Sequence, residues 1–396
     1  MADRSPRFLL LYSATGGGHL GAARAVAEAL EERSSRVELV DVLAEYAPWP
    51  LSHAPEWYGA ALRDGGCLYG VGFRLLDGRR RAYVLSALFR PWALPAACRL
   101  LAEHPADVVV AFHPVPIHTL AHALSHLRSA VPLVAVGTDL VVMHAFWADP
   151  GVSRYLVATE AARRQLLRHR IDPRRVQVVG LPVSRRFHEV RSQRPEVFRR
   201  RLGLDPEVPV VLAMAGGVGF APLERVARAL VNARLSAQIV VIAGRNRWLY
   251  ERLRHLAAGG GVRVEGFVEN VHEWMRAADL LVTKAGPATL AEALAVGVPP
   301  VIWGAISVQE MPNVRLVVEA KAGVWAPGPR QTVEAVRRLL NDPDARRQMR
   351  RQARRLIHPD AAAQVAEALW EAAGERVDRR RGRPTALLAK VRSSPN

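Results

Sequence analysis

The chain alternates short apolar runs with longer stretches in which apolar residues recur at helical spacing. In the first half the runs are "FLLLYS" from Phe8, "RVELVDV" from Arg36, "DVVVAFH" from Asp107, "VPLVAVGTD" from Val131 and "RYLVAT" from Arg154. Continuous apolar runs such as "DVVVAF" suit parallel strands covered on both faces. From Gly180 to Glu207 the texture changes: the stretch is charged, holds Pro182, Pro195 and Pro206, and has no long apolar run. It reads as the connection between two domains. A second series follows, "VPVVLAMAGG", "QIVVIAGR", "VRVEGFV", "LLVTKAG", "VPPVIWG" and "AGVWA", again spaced by helical patterns or short turns. Near the end, "PDARRQMRRQARRL" and "AAAQVAEALWEAAG" read as helices, and the last residues as a frayed basic tail. The expectation is an α/β chain of two doubly wound domains, 1–190 and 191–373, with a flexible tail over 374–396.

That architecture limits where chemistry can sit. In open parallel sheets, ligands bind beyond the C-terminal strand ends, where the strand order reverses. Two such sheets facing each other would place the site in the cleft between them. At the first strand end, "LLYSATGGGHLGAARAV" from Leu10 runs from a strand through three glycines to His19 and an alanine-rich helix. Gly16, Gly18 and Gly21 fit G-x-G-x-x-G, and Asp41 closes the next strand, so one reading is a dinucleotide-binding oxidoreductase. His113 and Asp139 end two further strands.

The second half carries the more telling strand end, "LLVTKAGPATLAEALAV" from Leu280. A glycine-lined turn at a helix N-terminus offers backbone N–H groups and the positive dipole end to a diphosphate. Glu292, further into the helix, suits a carboxylate that accepts from vicinal sugar hydroxyls. "AMAGGVGFAPLERV" repeats the arrangement with Gly216 and Gly217, and "VVIAGRNRWLYERL" adds Arg245 and Arg247 at another strand end. Three phosphate-compatible strand ends in one domain are more specific than any one of them.

Composition narrows the choice further. The chain has 396 residues, half of them hydrophobic and 23% charged, so it can build well-filled cores. Its formal net charge is +18, and Lys284, Lys321 and Lys390 are the only lysines among 55 basic residues. An excess of that size suggests nucleic acid, an anionic membrane surface or a negatively charged small substrate. Cys67 and Cys98 lie far apart without metal-ligand spacing, which fits a reducing cytosol. The N-terminal "MADRSPRF" lacks a signal-peptide core. The apolar stretch from Val84 carries Arg90, Arg99, Pro91 and Pro95, which argues against a membrane span. "DPD" at 342–344 opens an arginine-rich helix and reads as a cap, so no metal site and no cofactor is expected.

Taken in order, "GGGH", "HPVPIH", "GTDL" followed by Trp147, "GLPVSRRF", "AGRN", "GFVENVHEWM", "VTKAGPATLAEAL" and "QEMPN" resemble the monogalactosyldiacylglycerol synthases and related diacylglycerol glucosyltransferases. The wider group includes MurG. The resemblance covers Phe8 to about Trp325. It implies a GT-B fold, two Rossmann-like domains facing across a cleft, with a UDP-hexose donor on the C-terminal domain and diacylglycerol on the N-terminal one. By that resemblance His19 is the general base; Asp139, placed on the same rim by its strand end, is expected to orient it or contact the acceptor. Gly17, Gly18, His113 and Trp147 would shape the acceptor side. On the donor side, Gly216, Gly217, Arg245, Gly286, Pro287 and Thr289 would meet the diphosphate region, Glu292 the ribose and Val268 the uracil. Gln309 and Glu310 would hold the sugar hydroxyls. The implied reaction is an inverting transfer of hexose, galactose favoured, to give a β-glycolipid.

This chain departs from the plant-type pattern at Val218, where an acidic residue is usual, at Ala288, where a second glycine is usual, and in the "MPN" after Gln309-Glu310. The departures leave glucose or another lipid acceptor as alternatives. Between the first strands, Trp49, Trp57, Tyr58, Tyr69, Phe73, Phe89 and Trp92 mix with Arg79, Arg80, Arg81 and Arg90. That mixture suits an anionic bilayer interface, so the expected setting is the cytoplasm, at the cytoplasmic membrane face. Nucleic acid is not expected as a partner: a basic binding module would not need the clustered strand-end motifs.

Overall fold

The apolar runs form two separate parallel sheets in the computed structural model, which describes residues 5–14, 17–47, 51–53, 67–217, 222–256, 262–306 and 309–381. The first sheet comprises β1 (Arg7–Tyr12), β2 (Arg36–Asp41), β3 (Val108–Ala111), β4 (Leu133–Val136), β5 (Arg154–Val157) and β6 (Val176–Val178) in the order β2-β1-β3-β4-β5-β6. The second comprises β7 (Val210–Met214), β8 (Gln238–Ile242), β9 (Val262–Glu265), β10 (Leu280–Lys284), β11 (Pro300–Gly304) and β12 (Val324–Trp325) in the order β12-β11-β10-β7-β8-β9. Every pairing is parallel. The strand order reverses beside β1 and β3 in the first sheet and beside β7 and β10 in the second. The sequence pattern predicted each strand except β6, whose "VQV" is too short to stand out as an apolar run.

Both faces of each sheet are covered, as continuous apolar strands require. On one face of the first sheet, Phe8, Leu10, Val110 and Val134 pack against Ala23 and Val26 of the helix Gly17–Glu31. The same cluster contains Val365, Leu369 and Ala372. They belong to the last described helix, Ala361–Arg381, which crosses back from the second half to lie on the first sheet and on helix Gly17–Glu31. The expected boundaries therefore need correction. Residues 361–373 belong with the N-terminal domain because their apolar face is buried there, and the helix continues through 374–381, predicted as tail. Residues 382–396 lie outside the described residues.

The halves also share a core. Leu140, Leu181 and Phe187 join Leu281, Leu290 and Leu294 in one buried cluster, so the domains are packed and not merely tethered. The region expected to mix aromatics and arginines forms two helices, Cys67–Leu76 and Arg79–Glu103. Trp49, Trp57, Tyr58 and the side chain of Tyr69 lie outside the described residues. Helix Arg79–Glu103 is long and apolar enough to cross a membrane by length and composition, and little of its most apolar stretch is buried. It packs along helix Ile117–His126 through one side only, burying Ala82, Ala97 and Leu100.

Candidate functional site

The two reversal points face each other. Helix Gly17–Glu31 starts beyond β1, and helix Pro287–Val296 starts beyond β10. Their first turns touch: a Cβ placed on Gly18 would lie 3.3 Å from the Ala288 Cβ. Glycine at 18 thus lets one helix N-terminus approach the other across the cleft. A second link joins the halves where the Gln309 side-chain amide donates to Asp139 Oδ1 at 3.2 Å.

On the N-terminal side, His19 is the third residue of its helix. Its Nδ1 lies 2.8 Å from the Phe112 carbonyl oxygen and 2.8 Å from the Thr138 hydroxyl. A carbonyl oxygen only accepts, so Nδ1 carries the proton and Nε2 is left unprotonated, as a base requires. The His113 ring meets His19 edge-on, with centroids 4.7 Å apart. Burial lowers the His19 pKa to about 4, partly offset by the Phe112 carbonyl. Burial, then the neighbouring His19, holds His113 well below the ordinary imidazole value. With its pKa held at about 4, below the ordinary imidazole value, His19 is neutral throughout the physiological range.

Asp139 does not orient His19. That contact belongs to Thr138, one residue earlier, while the buried Asp139 carboxylate faces the opposite domain through Gln309. Burial pushes Asp139 up to about 6; the Gln309 hydrogen bond opposes the rise and the charge of Glu310 adds to it. Trp147 is corrected as well. It is fully buried in the N-terminal core beside Met143 and Tyr155, so it packs the fold and lines no entrance. Gly17 is exposed at the start of its helix. Asp41, the acidic residue of the dinucleotide reading, spends both carboxylate oxygens on backbone: Oδ1 accepts from Ala44 N at 3.1 Å and Oδ2 from Ala14 N at 3.0 Å. Asp41 thus caps the helix Val42–Tyr46 and ties the β1 strand end to it.

The C-terminal side brings its expected residues together in two adjoining groups. Beyond β7, β8 and β9, the Arg245 guanidinium lies 3.7 Å from the centroid of the Phe267 ring. Gly217 sits against both side chains. Two glycines shape this corner. Gly216 has φ +76, and Gly244 has φ +65, with a Cβ there falling 2.6 Å from the Gly217 carbonyl oxygen. Val268 follows Phe267 and is half-buried against the shared core. Val218 lies outside the described residues.

Beyond β10, Gly286 caps the helix that starts at Pro287, where a missing N–H costs nothing. Thr289 is buried in its first turn. Glu310 is 3% exposed, pairs with the Lys284 ammonium through Oε1, and accepts from Ile306 N at 2.9 Å through Oε2. Each carboxylate oxygen retains a further lone pair for a hydroxyl donor. The Lys284 ammonium lies 3.1 Å from a Cβ placed on Gly286, so a cation stands at this helix N-terminus. Asn313 Nδ2 donates to the Ala285 carbonyl at 3.1 Å and braces the turn from behind. Glu292 is half-buried and, among the described residues, takes part in no hydrogen bond or ion pair; burial raises its pKa to about 8. Sequence reasoning missed Thr138, Lys284 and Asn313 as site residues, although each stands inside a quoted motif. Among the described residues, no group of three or more His, Cys, Asp or Glu could hold a metal ion.

Two Rossmann-like domains with their reversal points opposed across one cleft define the GT-B fold. The fold is shared with MurG of Acinetobacter baumannii, at TM-score 0.57 and 16% identity over 92% of this chain and 100% of that one. It is shared too with HepE of Anabaena in complex with UDP and glucose, at TM-score 0.56 and 15% identity over 92% of this chain and 100% of that one. The profile described as "Monogalactosyldiacylglycerol (MGDG) synthase" matches residues 19–183, and that of "Glycosyl transferases group 1" matches 200–356. Monogalactosyldiacylglycerol synthase 1 of Arabidopsis thaliana is 32% identical over 389 residues, covering 93% of this chain and 72% of the relative. The chain belongs to the monogalactosyldiacylglycerol synthase family of glycosyltransferases.

Proposed function

We propose that this chain transfers a hexose, galactose by preference, from a UDP-sugar to the free hydroxyl of 1,2-diacylglycerol, with inversion, giving a β-glycolipid such as monogalactosyldiacylglycerol. The observation that carries the reading is the opposition of two half-sites: an imidazole with its Nε2 unprotonated on one side, and a cationic helix N-terminus on the other. In a single displacement, His19 Nε2 takes the proton of the acceptor hydroxyl as that oxygen attacks the anomeric carbon. The bond from that carbon to the diphosphate breaks, and the leaving charge meets the N–H groups of Ala288 and Thr289 and the Lys284 ammonium. The donor diphosphate also brings negative charge toward His19, which favours the transient imidazolium. Glu292 would bind the ribose, Phe267 and Val268 the uracil, and Gln309 and Glu310 the hexose hydroxyls. No cofactor is needed for this chemistry.

The acceptor is a membrane lipid, and the reading places the protein in the cytoplasm, bound at an anionic membrane face. In support, helix Arg79–Glu103 exposes Tyr83, Val84, Leu88 and Trp92, the last at 63%. Arg79, Arg80, Arg81, Arg90, Arg168 and Arg170 line a cavity of about 880 Å³ at the N-terminal part of that helix. Apolar anchors beside clustered cations suit an interface carrying anionic lipid. The test is direct: purified protein, diacylglycerol vesicles and labelled UDP-galactose or UDP-glucose, with the products separated by polarity and their anomeric configuration determined. A labelled β-galactolipid is the expected product. An α-linked product would remove the single displacement, a glucolipid would reassign the donor, and label confined to water-soluble products would remove the lipid acceptor.

A further inference from the structure

A narrow apolar groove runs beneath helix Arg79–Glu103, lined by none of the residues assigned to the two half-sites, and encloses about 250 Å³. One wall is a helical stripe that includes Leu85, Phe89, Ala93, Ala96 and Leu100; Leu43, Leu120 and Phe146 stand opposite. Among the described residues that line it, Tyr46, Ser86 and Thr119 alone have a side-chain polar atom. The Tyr46 hydroxyl is already engaged with Glu103 and with His104 Nε2, so the groove meets its ring. We propose that this groove takes one acyl chain of the diacylglycerol acceptor, an inference that rests on the acceptor class proposed above.

Three observations select that occupant. The wall from Leu85 to Leu100 is about 22 Å long at 1.5 Å per residue. A bilayer's hydrocarbon core of about 30 Å allots about 15 Å to each chain, so one chain fits along the wall. The lining includes Val115 and Pro116, which follow His113 in the chain, and the His113 ring packs against His19. A lipid with its glycerol beside Val115 and Pro116 keeps its hydroxyl on the side of the base. Finally, a neighbouring face of the same helix, about 100° round at 3.6 residues per turn, exposes Val84, Leu88 and Trp92 at four-residue spacing. A helix apolar on two such faces can rest one on hydrocarbon while the other roofs a groove, so the chain passes from membrane to groove along apolar surface. The groove shares Ser86 and Thr119 with the arginine-lined cavity, which makes an anionic phospholipid the competing occupant that the test must separate.

The experiment uses the full-length protein and a diacylglycerol bearing a diazirine at the end of one acyl chain. In the wild type, irradiation is expected to label the peptide spanning 79–103, and unlabelled dioleoylglycerol is expected to compete. Ala96→Phe or, independently, Ala93→Phe should fill the groove. Either is expected to abolish that label, raise KM for long-chain diacylglycerol at least tenfold and flatten the dependence of KM on chain length. Turnover number and UDP affinity should stay unchanged. Labelling on other peptides, or variants that keep both label and chain-length dependence, would overturn the groove assignment. So would a diazirine phosphatidylglycerol that labels the groove and is not displaced by diacylglycerol. Wild-type protein that labels in the groove yet makes no glycolipid would overturn the acceptor reading and leave the groove as a hydrocarbon site.

Discussion

The two sheets reverse their strand order at facing points, yet the chemistry at those points is opposite in kind. The N-terminal one is built from side chains in a desolvated setting: two histidines in edge contact, their charged forms suppressed, one ring held by a threonine and a carbonyl. The C-terminal one is built from backbone, with glycines at positive φ, a helix N-terminus, and a lysine whose partner carboxylate is buried. Removing a proton needs a neutral base, and burial keeps a base neutral. Receiving a diphosphate needs donors and positive charge, which backbone amides supply without side-chain ordering. One fold, used twice, thus divides a transfer reaction into a deprotonating half and a leaving-group half. The N-terminal half also carries the exposed apolar helix, for which the second half has no counterpart among the described residues.

If the division is real, each half should fail separately. His19→Ala should cut turnover by roughly 10²–10⁴-fold, the usual contribution of a positioned base, and leave UDP affinity unchanged by calorimetry. Because burial sets His19 at about 4, the acidic limb of kcat/KM should lie near that pH and not near 6.5. A limb at 6.5, or near-normal turnover in the variant, would take the base role from His19.

The next largest effect tests the layer that the N-terminal half alone possesses. Neutralising Arg79, Arg80 and Arg81 together should weaken binding to anionic vesicles by about 1 kcal/mol per charge at low salt, with a smaller loss at high salt. UDP affinity should not move. Unchanged co-sedimentation at low salt would mean that these arginines serve only to solvate the helix end.

Glu292 sharpens the contrast from the other side. Glu292→Gln should weaken UDP binding by roughly 1.5–3 kcal/mol, the value of hydrogen bonds to a charged group, while diacylglycerol binding is unaffected. Sugar hydroxyls that donate to this carboxylate favour its charged form, so UDP binding near pH 7 should release a proton. Calorimetry in two buffers of different ionisation enthalpy would detect it. Between the ordinary carboxylate value and about 8, the folded chain holds a proton that the unfolded chain has lost. Glu292 therefore costs stability as pH rises through that window, and the variant's melting temperature should exceed the wild type's by more at pH 9 than at pH 5. Equal UDP affinity would place the ribose elsewhere.

How far the sequence discloses this division follows from the range of the contacts involved. Strands β1 to β5 and β7 to β12 could be read because burial on both faces leaves unbroken apolar runs, and the glycine turns could be read because their backbone demands are local. The return of helix Ala361–Arg381 could not, since an apolar face announces burial without naming the sheet that buries it. Trp147 misled for the same reason: an aromatic beside a motif is as readily core as surface. His19 was visible from its motif. Its low pKa and its partner were not, because they depend on approaches between residues 93 and 119 positions apart in the chain.

The smallest expected effect belongs to that partner. The Thr138 hydroxyl shares His19 Nδ1 with the Phe112 carbonyl, and lies 3.4 Å from the same carbonyl oxygen. Thr138→Val keeps the branched shape and removes the hydroxyl. Phe112 remains to hold the proton on Nδ1, so the correct tautomer survives with one restraint fewer on the ring. A typical hydrogen bond contributes about 1 kcal/mol, so turnover should fall roughly fivefold, with KM for UDP-hexose unchanged. Thr138→Ser should restore most of the loss. A merely structural threonine would instead lower stability without separating kcat from KM, and Thr138→Ser would not rescue turnover. If Thr138→Val matches the loss of His19→Ala, the carbonyl alone cannot hold the tautomer, and the hydroxyl becomes essential to the deprotonating half. If its kinetics equal those of wild type, Phe112 suffices and the base is positioned by backbone alone, as the leaving-group half already is.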